Sequence, residues 1–270
     1  MTDHLLKVEA SGNDFIVGCG RWAKELCDDI DVTRRLCHRR LGLGADGTLA
    51  IQVRAADMVH LLYRNADGSR AEFCANGTRC AARVAHEILG LRSRLRIETD
   101  WTTIGAIVEA ARVQLELPAA DGDPAPLELE AGERVWSTWF VRVGVPHLVV
   151  PVDGPVANFP IERFAPALRH HNELGAEGAN VNFVQVNDPV CISVRAWERG
   201  IEGETLSCGS GVIASALWHM QNTTNKRVVC RTRSGDDLEV EEAGKPSDRP
   251  LRLTGPARIL ADIEPLNDLI

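Results

Sequence analysis

Two stretches read as versions of one unit: Arg64-Asn65-Ala66-Asp67-Gly68 followed by Glu72-Phe73-Cys74-Ala75-Asn76-Gly77, and Glu198-Arg199-Gly200 followed by Gly203-Glu204-Thr205-Leu206-Ser207-Cys208-Gly209-Ser210-Gly211. The first follows an apolar run over residues 58–63 and leads into a helical pattern over 78–89, which Gly90 stops. The second follows the alternating Val190, Ile192, Val194 and Ala196, a strand with one buried face, and leads into a helix ending near Met220. Each reads strand, polar loop, cysteine, helix. The same nine-residue step separates Asn65 from Cys74 and Arg199 from Cys208. A chain built on such a duplication is more easily read as two similar domains than as one large domain, and 270 residues allow either.

Between the halves, residues 117–133 carry Pro118, Gly122, Pro124, Pro126 and a run of acids without clear periodicity, which reads as a linker or an exposed crossing. Short strand-like runs dominate elsewhere, at 112–117, 135–143, 227–232, 237–241 and 251–253, and long helical patterns are few. The expected class is α+β, with mostly antiparallel strands and roughly one well-formed buried helix per half.

Hydrophobic residues at 44% and charged residues at 25% belong to an ordinary folded protein. A net charge of −8 argues against nucleic acid as the main partner and leaves a small molecule. The run Arg34, Arg35, His38, Arg39 and Arg40 reads as a solvated helix face, with phosphate binding as the competing reading. The first residues show no charged leader before an apolar run, and nowhere do 18 apolar residues follow one another, so a cytosolic protein without membrane contact is expected. The eight cysteines, Cys19, Cys27, Cys37, Cys74, Cys80, Cys191, Cys208 and Cys230, are then expected as free thiols. The five residues between Cys74 and Cys80 are poor zinc spacing, no C-x-x-C or H-x-x-x-H pair occurs, and no metal site is expected.

A cysteine immediately before Gly- and Asn-rich residues that open a helix sits where backbone N–H groups are unpaired and the helix dipole is positive. Such a thiol is expected to titrate below its free value of roughly 8.5. The same N–H groups suit a substrate carboxylate and the extra charge formed when its α-carbon loses a proton. Ala75, Gly77, Gly209 and Gly211 are small enough to let it approach. One such cysteine is readily a small buried hydrophobe. Two in matching contexts fit inversion of a stereocentre, which needs one group to remove a proton from one face and another to deliver a proton to the opposite face.

These blocks resemble the signature blocks of diaminopimelate epimerase, and so do Ser11-Gly12-Asn13-Asp14-Phe15, Gly42-Leu43-Gly44-Ala45-Asp46, Gly144-Val145-Pro146-His147-Leu148-Val149-Val150 and Gly178-Ala179-Asn180-Val181-Asn182-Phe183, in the family's order. The resemblance implies two pseudo-symmetric domains, each a central helix wrapped by a mostly antiparallel sheet, with the active site in the interdomain cleft. Residues 1–117 would form the first domain, joined by a C-terminal strand over about 257–270, and 118–256 the second. It also implies epimerisation of LL- and meso-diaminopimelate without cofactor, pyridoxal phosphate or metal, in lysine and peptidoglycan precursor synthesis, by a cytosolic homodimer.

Carried over by position, the resemblance makes Cys74 and Cys208 the acid/base pair, with His147 near the first thiol and Glu198 near the second. The reacting carboxylate would meet N–H groups around Ala75-Asn76 and Gly209-Ser210, and Asn13 would lie near the reacting centre. Asn65, Asn180, Glu198 and Arg199 would hold the distal amino-acid head group, which suits an arginine fork for carboxylate and a glutamate for ammonium. Asn13 also reads as a turn residue after Gly12, and His147 as a hydrogen-bonded strand-end residue. Three positions depart from the pattern: Gly47 where many members carry glutamine, Val145 where many carry asparagine, and Ala75 where glycine is usual. Two alternatives stand beside this reading. One is a racemase of the same fold for another amino acid such as histidine, distinguished by turnover on single-headed substrates. The other is a non-catalytic thiol-switch binding protein, distinguished by the absence of α-hydrogen exchange in the reduced state.

Overall fold

A computed structural model describes residues 3–132, 134–243 and 250–264. The chain divides into two compact units, residues 1–116 with 254–270, and residues 117–253.

In the first unit, β1 (His4–Ala10) and β2 (Asn13–Cys19) form an antiparallel hairpin across Ser11 and Gly12. Both turn residues have positive φ, 54° and 83°, the two-residue geometry whose twist suits neighbouring strands. The short helices α1 (Arg21–Asp28) and α2 (Ile30–Cys37) then carry the chain to β3 (Gly47–Ala55), which lies parallel to β2. β4 (Met58–Asn65) returns antiparallel to β3, β5 (Arg70–Ala71) turns back on β4, and α3 (Ala75–Glu87) leads to β6 (Arg94–Glu98), parallel to β4. β7 (Thr103–Glu109) and β8 (Arg112–Leu117) continue as antiparallel neighbours.

The second unit repeats this order. β9 (Asp121–Ala131), β10 (Arg134–Val143) and β11 (Val145–Pro151) form a meander, and α4 (Ile161–Arg169) carries the chain to β12 (Asn180–Asp188), parallel to β11. β13 (Cys191–Glu198) and β14 (Gly203–Thr205) fold back antiparallel, α5 (Gly209–Gln221) follows, and β15 (Arg227–Arg231) lies parallel to β13 and antiparallel to β16 (Asp237–Glu242). After β17 (Leu251–Pro256) the chain is again part of the first unit, where β18 (Arg258–Asp262) pairs antiparallel with β1. The parallel steps β2 to β3 and β4 to β6 thus match β11 to β12 and β13 to β15. α3 and α5 occupy the same place in the two series. The fold is α+β with two pseudo-symmetric domains.

The two central helices are buried on nearly every side, because each is surrounded by strands of its own unit. α3 packs against β1, β2, β3, β4, β6, β7 and β18, and α5 against β9 to β13, β15 and β16. Residues 75–82, 84 and 85 of α3 are buried, as are Gly209 and residues 211–220 of α5. A helix without a solvated face needs small or apolar residues all round, which the Ala- and Gly-rich sequences supply. Trp136, Phe159, Phe164 and Phe183 add an aromatic cluster to the second core, Trp136 and Phe164 meeting edge to face at 5.0 Å.

Several expectations change. Residues 121–131, expected as linker, are a strand in register with β10 from Ala131 opposite Arg134 to Asp121 opposite Arg142. Only Pro124 and Leu129 of β9 are buried, so solvation of the rest erases the apolar period that would have marked it. Three further helices, α1, α2 and α4, join the central pair. The basic run is not one helix face, since α2 ends at Cys37 and Arg39 and Arg40 lie in the following turn. The central helix of the first unit runs from Ala75 to Glu87, starting three residues before the helical pattern at 78–89, and Asn76 and Gly77 form its first turn. Of the C-terminal strand expected over about 257–270, residues 265–270 lie outside the described residues.

Candidate active site

Cys74 is the N-cap residue of α3, with extended backbone at φ −144° and ψ 114°. Its Sγ accepts from the Gly77 N–H at 3.5 Å, and its thiol donates to Asn13 Oδ1 at 3.7 Å. Asn13 Nδ2 donates to Asp46 Oδ2 at 2.7 Å. A carboxylate can only accept, so this bond fixes the amide orientation and turns Oδ1 towards the thiol. The same Oδ1 accepts from Asn76 Nδ2 at 3.4 Å. Arg79 Nη2 in turn donates to Asn76 Oδ1 at 2.8 Å and to Ser11 Oγ at 3.4 Å, and its Nε to the Pro256 carbonyl at 3.3 Å. Asn65 ends β4, where its Oδ1 accepts from the Tyr63 hydroxyl at 2.8 Å and its Nδ2 donates to Ser69 Oγ at 3.0 Å. The first unit therefore brings Asn13, Ala75 and Asn76 to Cys74.

Asp46 and Asp14 share the guanidinium of Arg39, at 2.6 and 2.8 Å, and Lys7 binds Asp14 at 2.5 Å. Burial alone would raise the Asp14 carboxyl, but the hydrogen bonds from Arg39 and Lys7 outweigh it and hold it down at about 2 instead of 3.8. A depressed folded-state value means that the ionised carboxylate favours the folded chain above pH 3.8 and that this contribution vanishes as pH falls towards 2. Asp14→Asn is expected to flatten the acid arm of the stability profile across that window, as read by thermal melts at stepped pH. An acid arm unchanged from the parent would assign the loss to other carboxylates.

Cys208 holds the matching N-cap position of α5, with φ −107° and ψ 109°, and its Sγ lies 3.6 Å from Ser210 Oγ. Glu198, at the end of β13, accepts from the Thr205 hydroxyl across the pairing with β14. Asn180 Oδ1 accepts from the Arg199 backbone N–H at 2.7 Å, and the Arg199 guanidinium meets Glu177, which also takes Arg142 at 3.0 Å. His147, the third residue of β11, lies opposite Asn180 in the parallel pair β11 and β12 and is fully buried. Burial, with a lesser effect of the Arg199 charge, pulls its imidazole down to about 3, so the ring is neutral at neutral pH.

Burial pushes the thiols of Cys19 and Cys37 up to about 12 and raises those of Cys27, Cys80 and Cys230, so these five stay protonated at neutral pH. Among the described residues no group of three or more His, Cys, Asp or Glu side chains is placed to hold a metal, and no helix is long and apolar enough to cross a membrane. A cavity of about 640 Å³ beside β6 and β7, lined by Asp57, Arg94, Arg96 and Glu116 among others, contains none of the residues singled out above.

The profile of one family, diaminopimelate epimerase, matches residues 5–112 and 139–260. The chain belongs to the diaminopimelate epimerase family. The diaminopimelate epimerase of Aquifex aeolicus is 36% identical over 249 residues, spanning 87% of this chain and 88% of its own. That of Methanothrix thermoacetophila is 36% identical over 256 residues and 89% of each. Among solved structures, a phenazine biosynthesis PhzC/PhzF protein from Clostridium difficile superposes with a TM-score of 0.76 at 11% identity, covering 98% of this chain and all of its own. A probable proline racemase from Agrobacterium radiobacter gives 0.70 at 16%, covering 99% and 94%. At those identities the fold alone is shared.

Against the diaminopimelate epimerase pattern, the departure at Gly47 has a physical cause. A Cβ there would lie 2.4 Å from the Arg64 carbonyl oxygen and 2.7 Å from the Tyr63 ring, so this chain has no room for the expected glutamine. Nothing in the structure explains Val145. Arg79, Asn182 and the Arg39, Asp14 and Asp46 cluster escaped the sequence reading, although Asn180 and Asn182, two apart on a strand, share one face.

Proposed function

We propose that this chain epimerises the α-carbon of diaminopimelate between its LL and meso forms, with Cys74 and Cys208 as the two acid/base groups. The observation that carries this is their equivalent placement: each occupies the N-cap position of the central helix of one repeat. One thiolate takes the α-proton from one face, the other thiol delivers a proton to the opposite face, and the roles exchange in the reverse direction. The carbanionic charge would fall on the substrate carboxylate, met by N–H groups of the first helical turns at Ala75-Asn76 and Gly209-Ser210. Asn13 would contact the reacting centre. His147, being neutral, serves as a hydrogen-bond donor, and Glu198, oriented by Thr205, accepts from an ammonium or from the second thiol. Asn65, Asn180, Glu198 and Arg199 would hold the distal head group. No pyridoxal phosphate or metal enters this scheme, and the protein is proposed to work in the cytosol as a homodimer.

Incubating the reduced protein with LL-diaminopimelate in deuterated water tests the reading: α-deuterium should appear in both isomers. Exchange with single-headed amino acids alone would favour the racemase, and exchange with none would favour the thiol switch. Arg199→Lys keeps the charge but loses the planar fork, so kcat/KM for diaminopimelate is expected to drop by the equivalent of roughly 1–3 kcal/mol. An unchanged kcat/KM would place the distal carboxylate elsewhere.

A further inference from the structure

Asn182 stands on β12, fully buried, with its side chain against two different elements. Its Nδ2 lies 3.2 Å from the Leu148 carbonyl oxygen and 3.2 Å from His147 Nδ1. The carbonyl can only accept, so the amide nitrogen must face it; the flipped carboxamide would set two oxygens together. With Nδ2 so fixed, His147 Nδ1 has to be the acceptor, and the single proton of the neutral ring sits on Nε2. Neither His147 Nε2 nor Asn182 Oδ1 has a hydrogen-bond partner among the described residues, although both are buried. A buried donor left unmatched in this way calls for a ligand group or another explanation.

The other end of the carboxamide meets α5. A Cβ built on Gly211, three residues after Cys208, would lie 2.1 Å from Asn182 Oδ1. Only glycine fits that approach, so the carboxamide is wedged between the His147 ring and the first turn of the helix that Cys208 caps. We infer that Asn182 is a positioning residue for the proposed epimerase: it locks His147 in the Nε2–H tautomer, so that this ring can donate a hydrogen bond but cannot take a proton from a thiol or a substrate. The inference rests on the proposed function in placing His147 at the reacting centre, while the tautomer itself rests on geometry alone. Asp or Glu at position 182 would invert the lock, since a carboxylate can only accept and would draw the ring proton to Nδ1.

The test uses the full chain with 15N-labelled histidine, the His147 signals being assigned through His147→Gln. In the parent at neutral pH, Nε2 should show the shift of a protonated nitrogen and Nδ1 that of an unprotonated one. Asn182→Asp should move the proton to Nδ1 or charge the ring, and lower kcat roughly 100-fold while KM changes only a few-fold. Asn182→Leu, of similar shape with no polar atoms, should release the tautomer and give a smaller loss of kcat. A proton on Nδ1 in the parent overturns the inference, as does an unchanged kcat in Asn182→Leu or in an Asn182→Asp protein whose ring proton has moved. Should Asn182→Asp not fold, the parent spectrum and Asn182→Leu still decide. A parent with Nε2–H and no exchange of diaminopimelate would sink the proposed function and leave the tautomer standing; an active parent with Nδ1–H would do the reverse.

Discussion

Cys74→Ala and Cys208→Ala are each expected to lower epimerisation of diaminopimelate by about 10²–10⁴-fold, with the protein still folded. The size follows from the chemistry: a proton delivered by one face cannot be delivered by the other, so the surviving thiol has no means of completing the inversion. Alanine also removes a helix cap, since Cys74 Sγ accepts from the Gly77 N–H. That loss costs only about 1 kcal/mol, too little to unfold the protein. Cys74→Ser separates the two effects. A serine oxygen can still cap α3 but is far too weak an acid to be ionised at neutral pH, so stability should be retained while turnover stays low. The measurement is the approach to the LL/meso equilibrium from each side, beside a melting curve for every variant. Turnover within a few-fold of the parent in either alanine variant would refute the two-base scheme.

Arg79→Leu is expected to cost about 3–5 kcal/mol of stability and to lower Tm by roughly 10 °C. Arg79 is fully buried within α3, and its guanidinium joins Asn76, Ser11 and the Pro256 carbonyl. Hydrogen bonds to a charged group contribute about 1.5–3 kcal/mol each, and removal leaves the buried acceptors without a donor. Leucine recovers part of this by apolar packing, which is why the expected loss is smaller than the sum. The matching place in α5, five residues after its capping cysteine, is the buried Ile213, so the repeat itself does not require a cation. What Arg79 adds is order beside Cys74, because it fixes Asn76, which shares Asn13 Oδ1 with Cys74. Activity should therefore fall in Arg79→Leu even below its melting transition. A Tm within a degree or two of the parent would show that the guanidinium's bonds are offset by its desolvation.

The fold was legible because duplication repeats a local pattern. A strand, a polar turn, a cysteine and an apolar run are each marked within a few residues, and two such series at matching offsets imply two similar domains. The cysteines stood out for the same reason, since a helix start is written in the residues beside it. β9 was not legible: most of its residues face water, and its strand state comes from pairing with β10. Nor were α1 and α2, whose eight residues apiece form too short a pattern to separate from a loop.

By itself, then, the sequence determined the class of fold, the family blocks and the two cysteines at helix starts, all of which are properties of neighbours along the chain. Only the tertiary structure decided that Arg79 reaches a carbonyl 177 residues away, that Arg39 serves Asp14 and Asp46 rather than a solvated helix face, and that Asn182 fixes a histidine on the next strand against a glycine of α5. The physical reason is the same in each case. An arginine or asparagine has no preferred environment written in its neighbours, and its role is set by whichever acceptors the packed strands bring within about 3 Å of it.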